Sequence, residues 1–215
     1  MVFSDRADAG RRLAARLVTM RHEDVVVLGL PRGGVPVAAE VADALDAPLD
    51  VIVVRKLGLP MQPEVAMGAI GEDGTRLLDP DLISRLGVTP AQLAAVEERE
   101  RSTLEARVSR LRLGHARTDL TGRTALIVDD GIATGATASV ACRVARSLGA
   151  QRVVVAAPVG APDAVSRVQG ADEVICLVQP LGFRAVGAHY RHFGQTSEGE
   201  VVELLDAARR RLRDR

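Results

Sequence analysis

The chain is predicted to fold as a doubly wound α/β domain, a mostly parallel sheet flanked by helices. Two observations carry that expectation. Continuous apolar runs of strand length alternate with amphipathic helical stretches along most of the sequence. The polar and glycine-rich motifs fall directly after such runs, at the carboxyl ends of strands buried on both faces, which is the edge where open α/β sheets bind ligands.

The elements follow in order. Residues 4–20 (SDRADAGRRLAARLVTM) read as a helix with Ser4 as N-cap and Leu13 and Leu17 on one face. VVVLGL (25–30) is a buried strand bounded by PRGG. VPVAAEVADAL (35–45) spaces Val37, Val41 and Leu45 four apart, as a helix face requires. DVIVV (50–54) is a second buried strand. From Lys56 to Thr75, two prolines and four glycines give a long loop leading into a short strand or hairpin around Ala66–Ile70 and Arg76–Leu78. Thr89 is the expected N-cap of a highly charged helix running to about Arg112, with Pro90 at its first position and Glu97–Arg101 as an i,i+4 pair. Its seam of Leu93, Val96, Leu104, Val108 and Leu111 is thin and suits either a subunit contact or packing on the chain's own core. TALIV (124–128), RVVVAAPV (152–159) and EVICLV (173–178) are further strands, separated by helices over 137–148 and 161–169. A last helix over about 198–213 ends in ARRRLRDR, whose arginines complement the helix dipole and stay solvated; a nucleic-acid tag would show the same run.

Composition narrows the function classes. At 215 residues and 47 % apolar, the chain suits one domain, 1–215, with 57–118 as a flexible loop plus helical insertion and 179–215 as a C-terminal hood segment and helix. The 28 basic residues balance the 28 acidic ones, which argues against a nucleic-acid binder held by phosphate neutralisation. No apolar run approaches the roughly 18–20 residues that span a bilayer, and the start MVFSDRADAGRR lacks a signal-peptide core. Cys142 and Cys176 have no metal-ligand spacing and read as small core residues. A soluble cytoplasmic protein is expected. Of the 28 basic residues, 27 are arginine, and Lys56 is the single lysine.

Three motifs are expected on one edge of the sheet: LPRGG after the first strand, RK after the second, and DDGIATGAT after the third. The small residues of GIATGAT let backbone N–H groups turn inward where a helix begins, an anion site to which the hydroxyls of Thr134 and Thr137 add donors. The motif is not a P-loop, since the lysine of that pattern is missing, and it is not G-x-G-x-x-G. A phosphate cradle preceded by two carboxylates implies a ligand with both a phosphate and a group that carboxylates bind, ribose hydroxyls or Mg²⁺.

VDDGIATGAT between an apolar strand and a helix resembles the 5-phosphoribosyl-1-pyrophosphate (PRPP) loop of the type I phosphoribosyltransferases. Pro31-Arg32-Gly33-Gly34 is similar to the family's pyrophosphate loop, where the peptide is often strained or cis, and Arg55-Lys56 resembles a basic dipeptide that several members use on the pyrophosphate. The matching segments frame residues 25–57 and 120–180, and the whole looks closest to an uncharacterised bacterial group of predicted phosphoribosyltransferases. The resemblance implies that Ala133, Thr134, Gly135, Ala136 and Thr137 hold the 5′-phosphate. It implies that Asp129 and Asp130 meet the ribose hydroxyls, directly or through Mg²⁺ and its waters, and stabilise positive charge developing on the ribose. Arg32, Gly33, Gly34, Arg55 and Lys56 would then take the departing pyrophosphate. The stretch 57–75 falls where the family keeps a loop that closes over the site.

The acceptor side is less marked. FRAVGAHYRHFGQ (183–195) lies where the family builds its hood, and Phe183 or Tyr190 is suited either to stack on a planar base or to anchor the segment onto the sheet. Ala133 stands where purine-salvage members often carry an aspartate, which withholds the usual sign of a 6-oxopurine acceptor. The leading expectation is an Mg²⁺-dependent phosphoribosyltransferase acting on PRPP and a small nitrogenous acceptor, working as a homo-oligomer, a dimer. The alternative is a non-catalytic PRPP- or nucleotide-sensing regulator on the same fold. A phosphatase or hydrolase would fit the cradle but leave PRGG and RK unexplained.

Overall fold

Residues 2–213 are described by a computed structural model. In chain order the strands are β1 (Val25–Gly29), β2 (Leu49–Val51), β3 (Val54–Gly58), β4 (Ala66–Gly71), β5 (Arg76–Leu78), β6 (Thr124–Val128), β7 (Arg152–Val159) and β8 (Glu173–Val178). Five of them form a wholly parallel sheet in the order β2-β1-β6-β7-β8, and β3-β4-β5 form a small antiparallel sheet. Their β-branched and leucine content fits strands covered on both faces. Along β1, Val25 and Val27 point into one half of the core and Val26 and Leu28 into the other, as the two-residue strand period requires.

The helices are α1 (Arg6–Leu17), α2 (Gly34–Leu45), α3 (Pro80–Arg85), α4 (Pro90–Arg112), α5 (Ala136–Ser147), α6 (Pro162–Ser166) and α7 (Glu198–Arg213). On one face Leu13 and Leu17 of α1, Val37 and Val41 of α2 and Leu205 of α7 pack with Val27 and Leu126 of the sheet. On the other, Val140 and Val144 of α5 meet Val26, Ile127 and Val155. Leu57, Met67, Ile70, Val96, Leu104 and Leu111 belong to the first of these clusters, so the segment 57–118 shares the core of the parallel sheet. Most of that segment is regular: two strands of the hairpin sheet, α3 and the whole of α4 lie within it. The thin seam of α4 is therefore turned inward. Among the described residues no helix is long and apolar enough to cross a membrane.

Several expected boundaries move. The N-cap of α1 is Asp5, whose Oδ1 accepts from the Asp8 amide at 2.8 Å, while the Ser4 amide donates to Asp8; a 3₁₀ turn, Val18–His22, replaces the last turn of the expected helix. The helix after β7 is shorter than expected, and α3, capped by Asp79, adds to the expected elements. Thr89 and Gln92 form a full capping box at the start of α4. Glu97 pairs with Arg76 of β5 at 3.0 Å instead of with Arg101, tying α4 to the small sheet.

The largest difference concerns the run 50–54. The Ile52 amide still donates to Gly29 of β1, but the Val53 carbonyl accepts from the Glu72 amide, so the chain leaves the parallel sheet and pairs with β4. A buried ionic knot fixes this crossing. Arg112, at the end of α4, donates to Asp50 (3.2 Å), to the Val51 carbonyl (2.9 Å) and to both oxygens of Glu72 (2.8 and 3.0 Å), and the Thr118 amide donates to the other Asp50 oxygen.

Candidate functional site

In the parallel sheet β1 and β6 are neighbours, and the chain runs outward from them in opposite directions, to β2 on one side and to β7 and β8 on the other. That is a topological switch point, where the loops leaving two adjacent strands part and open a crevice. The register sets Gly29 opposite Val128, and the Leu30 amide donates to the Val128 carbonyl at 2.9 Å, so the loops after β1 and β6 start side by side. The first loop carries Pro31–Gly34, with a cis peptide between Pro31 and Arg32. A Cβ on Gly34 would lie 2.6 Å from the Val128 carbonyl oxygen and 2.9 Å from the Asp129 Cα; one on Gly33 would collide with the Asp130 carboxylate. Both glycines are needed because the two loops touch there.

The acid pair is half-buried at that contact. The Asp130 amide donates to Asp129 Oδ1 at 2.9 Å. Burial, with the Asp130 charge beside it, pushes the Asp129 carboxyl up to about 8. Burial also raises Asp130, against the pull of Arg6, whose Nε donates to Asp130 Oδ2 at 2.8 Å. Arg6 is held in turn: its Nη1 donates to the Gly194 carbonyl at 2.7 Å, and its guanidinium lies 4.0 Å from the centre of the Phe193 ring. From the other side Tyr190 Oη donates to the Asp130 carbonyl at 2.6 Å.

Past the acids, Gly131–Gly135 lead into α5. Ile132 is pinned to the sheet, its amide donating to the Val159 carbonyl and its carbonyl accepting from the Ala161 amide, both at 2.9 Å. Gly135 has φ +78°, and a Cβ there would lie 2.8 Å from the Ala164 carbonyl oxygen. This left-handed residue turns the chain into α5 without a side-chain cap of its own; the Ala136 amide donates to Thr134 Oγ1 at 3.4 Å, and the helix N-terminus beyond it faces the loop as an anion site. Asp129, Gly131, Ala133, Thr134, Gly135 and Thr137 line a small cavity of about 110 Å³.

Of the expected site residues, the structure thus brings together Arg32, Gly33, Gly34, Asp129, Asp130 and Ala133–Thr137. Arg55 and Lys56 follow the apolar run 50–54 as expected but belong to a strand and not to a loop of the parallel sheet. They lie on β3, in the antiparallel sheet, because the chain has already left the parallel sheet at Val53. Arg55 donates to Glu100 of α4 through Nε (2.9 Å) and Nη2 (2.5 Å), and Lys56 Nζ reaches the Glu64 carbonyl at 3.1 Å. The stacking role for Tyr190 is corrected: its ring is buried between Phe3 (centroids 5.4 Å apart) and Phe193 (5.0 Å), and its hydroxyl is spent on Asp130. It anchors the hood and buttresses the acid loop. Phe183 is half-buried and stacks on His189 at 5.6 Å. Sequence reasoning missed Arg6 altogether, because one more arginine in the first turn of a helix carries no local mark of a partner 124 residues away.

Comparison with known proteins agrees with this geometry. Residues 4–186 match the family profile described as phosphoribosyl transferase domain. A Mycobacterium tuberculosis protein, provisionally named a phosphoribosyl transferase in two strains, is 58 % identical over 210 residues, 97 % of this chain and 47 % of that protein. The chain thus spans about half the length of the curated relatives it matches. The crystal structure of TT1426 from Thermus thermophilus superposes with a TM-score of 0.83 at 43 % identity, covering 95 % of this chain and 98 % of that one. With the profile spanning most of its length, the chain belongs to the phosphoribosyl transferase domain family.

Proposed function

We propose that the protein transfers the 5-phosphoribosyl group of PRPP to a nitrogenous acceptor, with Mg²⁺ assisting and pyrophosphate leaving. One observation carries this reading: an acid pair and a helix N-terminus share a single loop at the switch point, in contact with the glycine loop after β1. The amides of residues 133–137 and the hydroxyls of Thr134 and Thr137 would hold the 5′-phosphate. The ribose would then lie over Asp129 and Asp130, whose carboxylates accept from its hydroxyls and face the positive charge that builds at C1 as the bond to pyrophosphate stretches. Arg32 and the amide of Gly33 stand on the other loop, where negative charge builds on the leaving group, while the Gly34 amide closes that loop by donating to the Leu30 carbonyl at 2.9 Å.

The donor set fits Mg²⁺. That ion keeps several waters and binds through one or two carboxylates plus substrate oxygens, and no larger group of ligating side chains occurs among the described residues. Bound there by Asp129 and Asp130, it would neutralise pyrophosphate charge. Arg6 donates to the Asp130 carboxyl group, opposing the upward pull of burial, and Tyr190 fixes the backbone beneath it.

The acceptor enters from the side of the hood, where Phe183 and His189 present the stacked pair. We expect a cytoplasmic homodimer, which light scattering tests. The deciding experiment is calorimetry with PRPP and Mg²⁺, followed by a panel of bases monitored for pyrophosphate release. PRPP is expected to bind, and the double variant Asp129→Asn/Asp130→Asn to lose it. Equal binding by that variant would sink the reading, and binding without turnover on any base would make the protein a PRPP sensor.

A further inference from the structure

The parallel sheet has two edges, and the chain treats them differently. β2 is three residues long and wholly buried, and its Val51 carbonyl is taken by Arg112. β8 is six residues long, and among the described residues no strand lies on its outer side. Val174–Val178 are half-buried, with Ile175 and Leu177 leaning on one half of the core and Val174 on the other. Natural sheet edges are blunted by lysine, proline, a bulge or a covering segment. β8 carries neither lysine nor proline, and it keeps one register along β7.

The Asp172 amide donates to the Val153 carbonyl, and the Val178 carbonyl accepts from the Gly160 amide. Backbone groups alternate sides along a strand, so Val174 and Cys176 also direct their N–H and C=O groups at β7. Glu173, Ile175 and Leu177 turn theirs outward. An unpaired row of this kind is a template for another strand.

The sequence selects which strand. Glu173-Val174-Ile175-Cys176-Leu177-Val178-Gln179 has the same pattern read outward in either direction from Cys176. Laid antiparallel against itself about that residue, it sets Ile175 against Leu177, Val174 against Val178 and Glu173 against Gln179. Each apolar residue meets an apolar one, and the one carboxylate meets an amide donor. The backbone agrees: Ile175 and Leu177, with outward groups, form the hydrogen-bonded pairs. Cys176 forms the close pair without hydrogen bonds, in which opposite Cα atoms lie about 4.5 Å apart. Moving the axis to Ile175 would set Glu173 against Leu177, and moving it to Leu177 would set Gln179 against Ile175.

We infer that β8 is a dimer seam, at which two copies of the chain join their five-stranded sheets edge to edge about a two-fold axis at Cys176. Such a contact is isologous and closes on itself. Leu181, 99 % exposed, adds an apolar side chain at each end of the seam. Because the paired strands run in opposite directions, the two acid-pair mouths open at opposite ends of the joined sheet. The seam stands independently of the phosphoribosyl-transfer reading and gives the expected homodimer its surface.

The test is sedimentation of the full chain, followed by oxidation with copper phenanthroline. The chain should sediment as a dimer at micromolar concentration. Oxidation should then join two Cys176 thiols in one disulfide, each thiol giving a proton to solvent and an electron to copper(II). Cys176→Ala should abolish the covalent dimer, and Cys142→Ala should not, since Cys142 is buried in the core. In the double variant Cys176→Ala/Val174→Cys the register sets each new thiol against Val178, so no disulfide should form. Gln179 is exposed, and its substitution leaves the fold intact. Gln179→Glu places like charges opposite one another at both ends of the seam and should weaken dimerisation several-fold, whereas Gln179→Lys should tighten it. A monomer overturns the seam and leaves the edge to a strand of another protein. A dimer that Cys176 does not cross-link, equal cross-linking by the moved thiol, or equal dimer constants in the two Gln179 variants also overturns it. PRPP binding is scored separately, so failure of the seam and failure of the transfer reading stay distinct.

Discussion

At the scale of single residues, the acid pair is a local cost to the fold. Asp129 sits half-buried beside a second carboxyl group with no ion pair of its own among the described residues, while Arg6 pairs with Asp130 and reaches Asp129 only through its charge. Replacing Asp129 with asparagine keeps an oxygen for the Asp130 amide and removes a carboxyl whose ionisation burial opposes. The ligand-free protein should therefore gain about 1 kcal/mol of stability while PRPP binding is lost, which urea unfolding and calorimetry would read together; a less stable variant would contradict the account. Arg6 does the opposite work. Arg6→Gln should lower PRPP affinity about tenfold, the scale of one charge-assisted hydrogen bond, and Arg6→Lys should recover part of it. Neither residue's partner can be seen locally in sequence. The acids were legible because they adjoin a motif, and Arg6 was not because its partner is remote in the chain.

At the scale of elements, legibility followed pattern length. β6, β7, β8 and α7 match the expected ranges because unbroken apolar runs or a long helical period marked them. The DVIVV run misled because an apolar strand says nothing about where its partner changes; β2 stops at Val51, and the same valine-rich stretch feeds the small sheet. What redirects it is Arg112, which sits 62 residues beyond Asp50 and gathers Asp50, Glu72 and the Val51 carbonyl into one buried cluster. Arg112 is the close cation for both carboxylates; Glu72 has besides it only Arg117, at 3.7 Å. Arg112→Met should cost about 3–5 kcal/mol, since breaking a buried pair strands the remaining charge. Hydrogen exchange should show the loss concentrated in β2, β3 and β4, and uniform loosening of the parallel sheet would argue against this placement of the cluster.

For the whole molecule, the charge balance predicts its response to acid. A backbone hydrogen bond from Ser4 lowers Asp8, and one from Val153 lowers Asp172. At Asp73 burial pushes upward, but hydrogen bonds from Ser147 and Thr75 outweigh it and leave the carboxyl lowered. Groups more acidic folded than unfolded lend full stability above the ordinary aspartate value of 3.8 and lose it as the pH falls through and below it. The melting temperature should drop in that window, and Asp172→Asn should flatten part of the slope; an identical slope would remove Asp172 from the account. The way the hood is fastened has a further consequence, for the order of assembly. Phe3 bridges to Tyr190, its amide donates to His189 and its carbonyl accepts from Arg191, so the segment around Phe3 is stitched to one made much later in the chain. The Asp130 carbonyl receives the Tyr190 hydroxyl across 60 positions of chain. At a synthesis rate of roughly 5–20 residues per second, the acid loop waits some seconds for that support, and a nascent chain halted before Tyr190 would carry the complete loop sequence without its buttress.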